Sequence, residues 1–170
     1  MIKSMNRLAG LVLLLPLALF QATPGLAQSD DLIKQEIEGK IAESPMLRGT
    51  RIKVHVERQL VVLVGQVTLY EQKLVADRIA WTTRGVHEMD NEIQVVPIAP
   101  LSDTAIERKI TEMVKVDERF SMARVSIRVN NGKVLLVGSF LGFSDPSILK
   151  HKVAKIEGVV GIEIRAKFLA

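Results

Sequence analysis

Three kinds of residue in this chain carry chemistry that could act on something else: a run of lysines, three histidines and a set of spaced carboxylates. The lysines lie in Ile148-Leu149-Lys150-His151-Lys152-Val153-Ala154-Lys155-Ile156. At helical spacing Leu149, Lys152, Val153 and Ile156 fall along one stripe, with Lys150, His151 and Lys155 on the polar flank. A basic amphipathic helix of this kind can lie on an anionic membrane, each lysine near the surface contributing about 1 kcal/mol. The same pattern describes a helix that packs its stripe on a sheet and leaves its cations in water. Arg108, Lys109 and Lys115 sit on an earlier helical stretch, so the candidate lipid-binding set is Arg108, Lys109, Lys115, Lys150, Lys152 and Lys155.

The other groups point away from catalysis. His55, His87 and His151 fall in different elements without a paired-ligand spacing, and the chain has no cysteine, so neither a metal nor another cofactor is expected. Glu88, Asp90 and Glu92 alternate along a predicted strand and are expected to divide between its faces rather than converge as an acid–base pair. No serine has a neighbouring His-Asp arrangement, and no glycine-rich loop cradles a phosphate. The expectation is a protein that is not an enzyme.

The elements that must position these residues occur twice. Laying Val64-Gly65 over Val137-Gly138, a shift of 73 residues, aligns the halves without a gap. Identical residues then fall at Asp30/Asp103, Ile33/Ile106, Ile37/Ile110, Arg51/Arg124, Val56/Val129, Val61/Val134, Leu63/Leu136, Gly85/Gly158 and Val86/Val159. Most are apolar or glycine, so the repeat shares a scaffold and no reactive set.

In the first module, Asp30-Asp31 precede a helical run through Ile33, Ile37 and Ile41 that should stop before Pro45. Ile52, Val54 and Val56 alternate with polar residues as a strand. Leu60 to Val67 is apolar on both faces, Tyr70 to Arg84 is helical and ends at Gly85, and Val86 to Val96 makes a third strand. In the second, Asp103 is read as a helix cap, Asn130-Asn131-Gly132 as a type I′ hairpin turn, and Asp145-Pro146 as the start of a helix running to Gly158. Val159 to Phe168 is the last strand. The order is α-β-β-α-β in each half, an α+β class of two tandem modules, each a three-stranded mixed sheet with two helices on one face and a right-handed β-α-β crossover. Gly65 and Gly138, inside strands, are read as a bulge or a close backbone approach. Strands apolar on both sides predict that the second sheet face is covered, by the sister module or by a partner. Trp81 is expected to be partly buried between the modules.

The ends and the charge set the context. Lys3 and Arg7, an apolar stretch from Leu8 to Phe20, and small residues Gly25 and Ala27 read as a secretory signal peptide over 1–27 cleaved after Ala27. The modules then span 28–97 and 102–170, joined by the short linker 98–101, which Pro97 before it and Pro100 within it make stiff. A chain without cysteine cannot be a lipoprotein anchored through one, and it fits the periplasm better than a disulfide-rich exterior. Asp30 to Pro97 holds nine Lys/Arg against eleven Asp/Glu, while Ser102 to Ala170 holds twelve against eight. The second module is therefore the one to meet an anionic partner. Nucleic acid is not expected, because the basic residues lack interleaved stacking aromatics.

With these elements in place the chain resembles the BON domain family, twice over. The family's V-x-L-x-G-x-V pattern stands as Val61-Val62-Leu63-Val64-Gly65-Gln66-Val67 and again as Val134 to Phe140. Its G-V-x-x-V-x-N-x-I-x-V pattern stands as Gly85 to Val95, with Asn91 in place; in the second module Gly158-Val159 and Ile162 remain, but Ile164 replaces the asparagine. The resemblance implies a periplasmic two-module protein of the cell envelope, similar to osmotically inducible periplasmic proteins and to outer-membrane lipoproteins. It implies a role in envelope integrity or osmotic-stress tolerance and contact with anionic phospholipid through the second module. An interaction or chaperone-like adaptor for other envelope proteins, working through an apolar sheet face, is the alternative. The family carries no catalytic residues over.

Overall fold

The computed structural model describes residues 29–169, so the expected signal peptide lies outside the described residues. Helix α1 (Asp30–Glu43) begins at Ser29, whose side chain accepts from Leu32 N–H, and it buries Ile33, Ile37 and Ile41, a stripe spaced by four. It ends at Ser44 because Pro45 holds the preceding residue in extended backbone. Strands β1 (Lys53–Glu57) and β2 (Leu60–Val64) form an antiparallel hairpin, and β4 (Glu88–Asn91) joins β2 in parallel. The short strands β3 (Gln66–Val67) and β5 (Gln94–Val95) continue the parallel pairing as a separate two-stranded piece. Helix α2 (Tyr70–Trp81) is the crossover between them.

The second module repeats this with α3 (Asp103–Val116), β6 (Arg124–Asn130), β7 (Lys133–Phe140), α4 (Asp145–Val153) and β8 (Gly161–Phe168). Its sheet, in the order β6-β7-β8, is unbroken. Each sheet packs one face on its own helices: Val54, Val61 and Leu63 meet Ile33 and Ile37, and Val134, Leu136 and Phe140 meet Ile106 and Ile110. A fully buried aliphatic side chain of this size stabilises by roughly 1.5–3 kcal/mol, which makes these two clusters the main source of order. The two-module α+β class, with mixed sheets and helices on one face, is the class the repeat implies.

The shared residues now have physical roles. Asp30 is not merely a first-turn acid: its carboxylate accepts from Arg58 N–H at 2.7 Å and Gln59 N–H at 2.9 Å, across the β1–β2 turn. Asp103 does the same for Asn131 at 2.8 Å and Gly132 at 2.9 Å. The cap expected of Asp103 is made instead by Ser102, which accepts from Ala105 N–H, leaving the aspartate free to clamp the hairpin. Both turns place both central residues at positive φ, Arg58 and Gln59 at 51° and 65°, Asn131 and Gly132 at 49° and 72°. Asn-Gly announces that geometry; Arg-Gln does not.

Glycine is required at Gly65 and Gly138 by close approach. A Cβ on Gly138 would stand 2.8 Å from the carbonyl oxygen of Arg124, and one on Gly65 would strike that of Arg51, the matching residue. The repeat thus preserves the glycine together with the carbonyl that presses on it.

Several boundaries differ from expectation. Helix α2 stops at Trp81 rather than Arg84, because Thr82 and Thr83 turn their hydroxyls onto the carbonyls of Arg78 and Ile79. Helix α4 ends at Val153 rather than at Gly158, the chain passing through turns before β8. The third strand of the first module is interrupted at Asn91. That amide donates to the carbonyl of Lys73 and to Asp77 on α2, while its oxygen accepts from Ile93 N–H. Ile164 at the matching position packs against the core instead, and β8 runs straight through. Trp81 stands 52 % exposed at the end of α2.

Candidate functional site

The modules meet along α2 and α4. Tyr70, the first residue of α2, packs against the second module's core, and the Ile162 backbone hydrogen-bonds its oxygen. Burial pushes the phenol above its ordinary value, the Ile162 bond opposing this and the nearby Asp77 charge adding to it. Glu71 N–H donates to the Ala154 carbonyl at 3.0 Å, and its carboxylate pairs with Lys155 at 3.5 Å. Arg78 donates to His151 Nε2 at 2.6 Å, while His151 Nδ1 lies 2.8 Å from the Ser147 carbonyl. The tautomer that satisfies both contacts carries its proton on Nδ1. Ala99 N–H in the linker donates to Glu157, so the linker too is tied to the second module.

This interface determines what the basic helix has left to offer. Leu149, Val153 and Ile156 are all buried in the second module's core, so the apolar stripe of α4 has no free face. Lys152 binds Asp117, the C-cap residue of α3, at 2.5 Å. That hydrogen bond, aided by the Arg119 backbone, holds the Asp117 carboxyl below the usual carboxylate range. Lys155 is held by Glu71 of the first module, and Lys150 is half-buried. On α3, Arg108, Lys109 and Lys115 are exposed and make no ion pair among the described residues. The six cations therefore do not form one patch around a common apolar strip. Three are open on α3, and two of the other three, Lys152 on α4 and Lys155 just after it, are engaged in holding the fold together.

A larger array lies on the sheet faces turned away from the helices, which the sister module does not cover. Strand pairing places Arg124-Ser139-Lys167, Ser126-Val137-Arg165, Arg128-Leu135-Glu163 and Asn130-Lys133-Gly161 in successive rows across the outer face of the second sheet. Five of these residues are cations and one is an acid, Glu163, which pairs with Arg165. The matching face of the first module carries Arg51 and Lys53 against Glu57, Glu88, Asp90 and Glu92. Glu88, Asp90 and Glu92 do not divide between faces as expected: a period of two puts all three on the same side, where they are exposed. Glu88 and Asp90 lie on the edge strand β4 and Glu92 just past its end, and among the described residues they converge on no partner.

These rows escaped sequence reading because the cations are spaced singly along their strands, and Arg124 and Lys167 of one row lie 43 residues apart in the chain. Only the register unites them. The signal that could have found them was the outward half of each alternating strand, compared position by position between the modules. Val137 sits centrally and is 42 % exposed, so the outer face mixes charge with an apolar strip.

Comparison with known proteins matches the BON domain family model at residues 29–97 and 102–166. The chain is similar to the outer membrane lipoprotein DolP of Haemophilus influenzae, 26 % identical over 142 residues, covering 81 % of this chain and 73 % of that one. Among solved structures it is similar to CdsD, a structural protein of the type III secretion system of Chlamydia trachomatis. The identity is 16 % and the TM-score 0.34, and the match covers 83 % of this chain and 64 % of that one. A second structure, of the C-terminal domain of CdsD, matches at 16 % identity and a TM-score of 0.35, covering 84 % and 68 %. The chain thus spans less than two thirds of the first of these structures.

Proposed function

The chain belongs to the BON domain family, and on that premise we propose that it is a non-enzymatic binding protein of the cell envelope whose second module contacts anionic phospholipid. The observation that carries this reading is the reversal of charge between two faces built on one scaffold. The outer sheet face of the first module has two cations against four carboxylates, and that of the second has five against one. Fold does not require the reversal, since these side chains point into water, so it reports on what the second face meets. Arg108, Lys109 and Lys115 stand open on α3, in the helix layer behind that sheet, and Lys152 and Lys155 are taken up by Asp117 and Glu71. At about 1 kcal/mol for each lysine or arginine near an anionic leaflet, a net of four charges on the sheet face gives reversible, peripheral attachment.

We place the protein in the periplasm. We read the charged surface of the second module as what recruits it to membrane. Support of envelope integrity under osmotic stress is the physiological reading. The test is co-sedimentation with vesicles of phosphatidylcholine alone or mixed with phosphatidylglycerol, at about 10 mM and 150 mM salt, where the screening length falls from roughly 30 to 8 Å. Binding confined to the anionic vesicles and weakened by salt is expected. Absence of binding at low salt removes the proposal.

A second reading has its own observation: Leu60, Val62 and Val64 form an apolar strip down the first module's outer face. A protein-interaction adaptor would use that strip, and its complex would survive high salt where lipid binding does not.

A further inference from the structure

One end of the second module exposes far more apolar surface than a folded chain needs. Strand β7 leaves the sheet at Phe140 and turns through Leu141-Gly142-Phe143 into α4, and β8 ends beside it at Phe168 and Leu169. Leu141 is 55 %, Phe143 82 % and Phe168 45 % exposed. The two rings lie 4.8 Å apart, tilted by 46°, so the loop and the strand end form one apolar body.

The loop is built to hold this shape. The Asp145 carboxylate, itself buried, accepts from Gly142 N–H at 2.9 Å, and Asp145 N–H returns to the Gly142 carbonyl at 3.1 Å. A Cβ on Gly142 would stand 2.7 Å from that carboxylate. Met122 and Val116, both strongly exposed, belong to the same end by topology, because α3 ends and β6 begins there. The first module has no counterpart: Thr68 stands for Leu141, Gly49 for Met122, and Tyr70, which matches Phe143, is turned into the module interface.

Cations border this end. Arg124 and Lys167 flank Ser139 in the row nearest the tip, and Arg165 lies in the next. With the small residues Gly138, Ser139 and Ala166 they line an open depression of about 400 Å³. Lys115 adds a charge beside Val116. A groove for an apolar peptide needs no such cations, and an acidic polymer needs no phenylalanines. Anionic phosphate lying over hydrocarbon is the order in which a bilayer presents both.

We propose that this tip is where the second module enters an anionic bilayer: Leu141, Phe143 and Phe168 pass below the headgroups, and Arg124, Arg165 and Lys167 bind lipid phosphates. The inference rests on the phospholipid reading above and adds the surface and the depth. It makes α4 a structural helix in contact with the first module.

The test uses the chain from Gln28 onward with phosphatidylglycerol-containing vesicles. Phe143→Ser with Phe168→Ser is expected to weaken binding at least about tenfold, since partitioning two phenyl groups is worth more than one decade in affinity. Arg165→Glu with Lys167→Glu is expected to do the same, while Lys152→Glu with Lys155→Glu stays within about threefold of the parent if its circular dichroism is unchanged. In a Trp81→Phe background, Phe143→Trp should give an indole that shifts to the blue on these vesicles and is quenched by lipids brominated on their acyl chains. If the parent protein binds and the tip variants bind equally well, or the indole at position 143 stays unquenched, this inference falls and the phospholipid reading stands. If the parent does not bind, both fall. A parent that self-associates in solution and becomes monomeric in the tip variants would assign the tip to a second copy of the chain and overturn the inference.

Discussion

Removing the Asp30 carboxylate should unravel one turn and, with it, much of the first module. The Arg58-Gln59 turn stands at φ of 51° and 65°, a region that costs a non-glycine residue about 1–2 kcal/mol each. What offsets this is the pair of hydrogen bonds from Arg58 and Gln59 to Asp30, at 2.7 and 2.9 Å. A hydrogen bond to a charged group contributes about 1.5–3 kcal/mol when shielded, and since Arg58 is exposed, about 1 kcal/mol for each is the fair figure here. Asp30→Ala is therefore expected to destabilise the module by about 2 kcal/mol, which for a unit of this size lowers Tm by roughly 8–16 °C. Gln59→Gly relieves the backbone cost and should stabilise by up to about 1 kcal/mol, and it should recover part of the loss when combined with Asp30→Ala. Asp103→Ala removes the same two bonds from the Asn131-Gly132 turn and should cost about the same 2 kcal/mol. Urea unfolding followed by Trp81 fluorescence reports the first module, since that is the chain's one tryptophan, and far-ultraviolet circular dichroism reports both. An Asp30→Ala shift below about 0.5 kcal/mol would refute the clamp argument.

Three further outcomes are expected. Gly138→Ala should cost about 1–3 kcal/mol in thermal unfolding, because its methyl meets the Arg124 carbonyl and Val125. Tyr70 is the single tyrosine, so absorbance near 295 nm reads it alone. Burial raises its folded pKa, so its contribution is complete below the unfolded value near 10 and is lost as pH rises through the folded one; the module interface should loosen in strong alkali, as an increase in scattering radius. Asp117 has the opposite sign: its lowered pKa gives stability that is present above the ordinary carboxylate value and disappears as pH falls through the folded one. Asp117→Asn should flatten that acid limb of the stability curve.

The parts of this fold legible in the sequence were those written in local chemistry. The Ile33, Ile37, Ile41 stripe, the Ser44-Pro45 stop and the Asn131-Gly132 turn each announce an element through one or two residues. The interruption at Asn91 was visible only as a difference from Ile164; that its amide reaches α2 depends on which strand lies under which helix. The Arg58-Gln59 turn was hidden because its geometry is imposed by an aspartate 28 residues away. The candidate site suffered most from the same cause. A run such as Lys150 to Lys155 stands out in one dimension, yet Asp117 and Glu71 had already engaged two of its lysines in three. Arg124, Arg165 and Lys167 are scattered in the chain and become neighbours only through strand register.

The contact of Arg78 with His151 joins positions that correspond under the 73-residue repeat. In a symmetric pair of identical subunits, a residue meeting its own equivalent lies on or beside the rotation axis, and both partners are then the same amino acid. An arginine there would face an arginine, and a histidine a histidine. Joining the two halves in one polypeptide lifts that restriction. One position can become the donor and the other the acceptor, a lock that no homodimer of either half could make. The covalent link thus does more than hold two modules near each other: it allows an asymmetric interface, and from there one half can turn its outer face to a partner that the other half would repel.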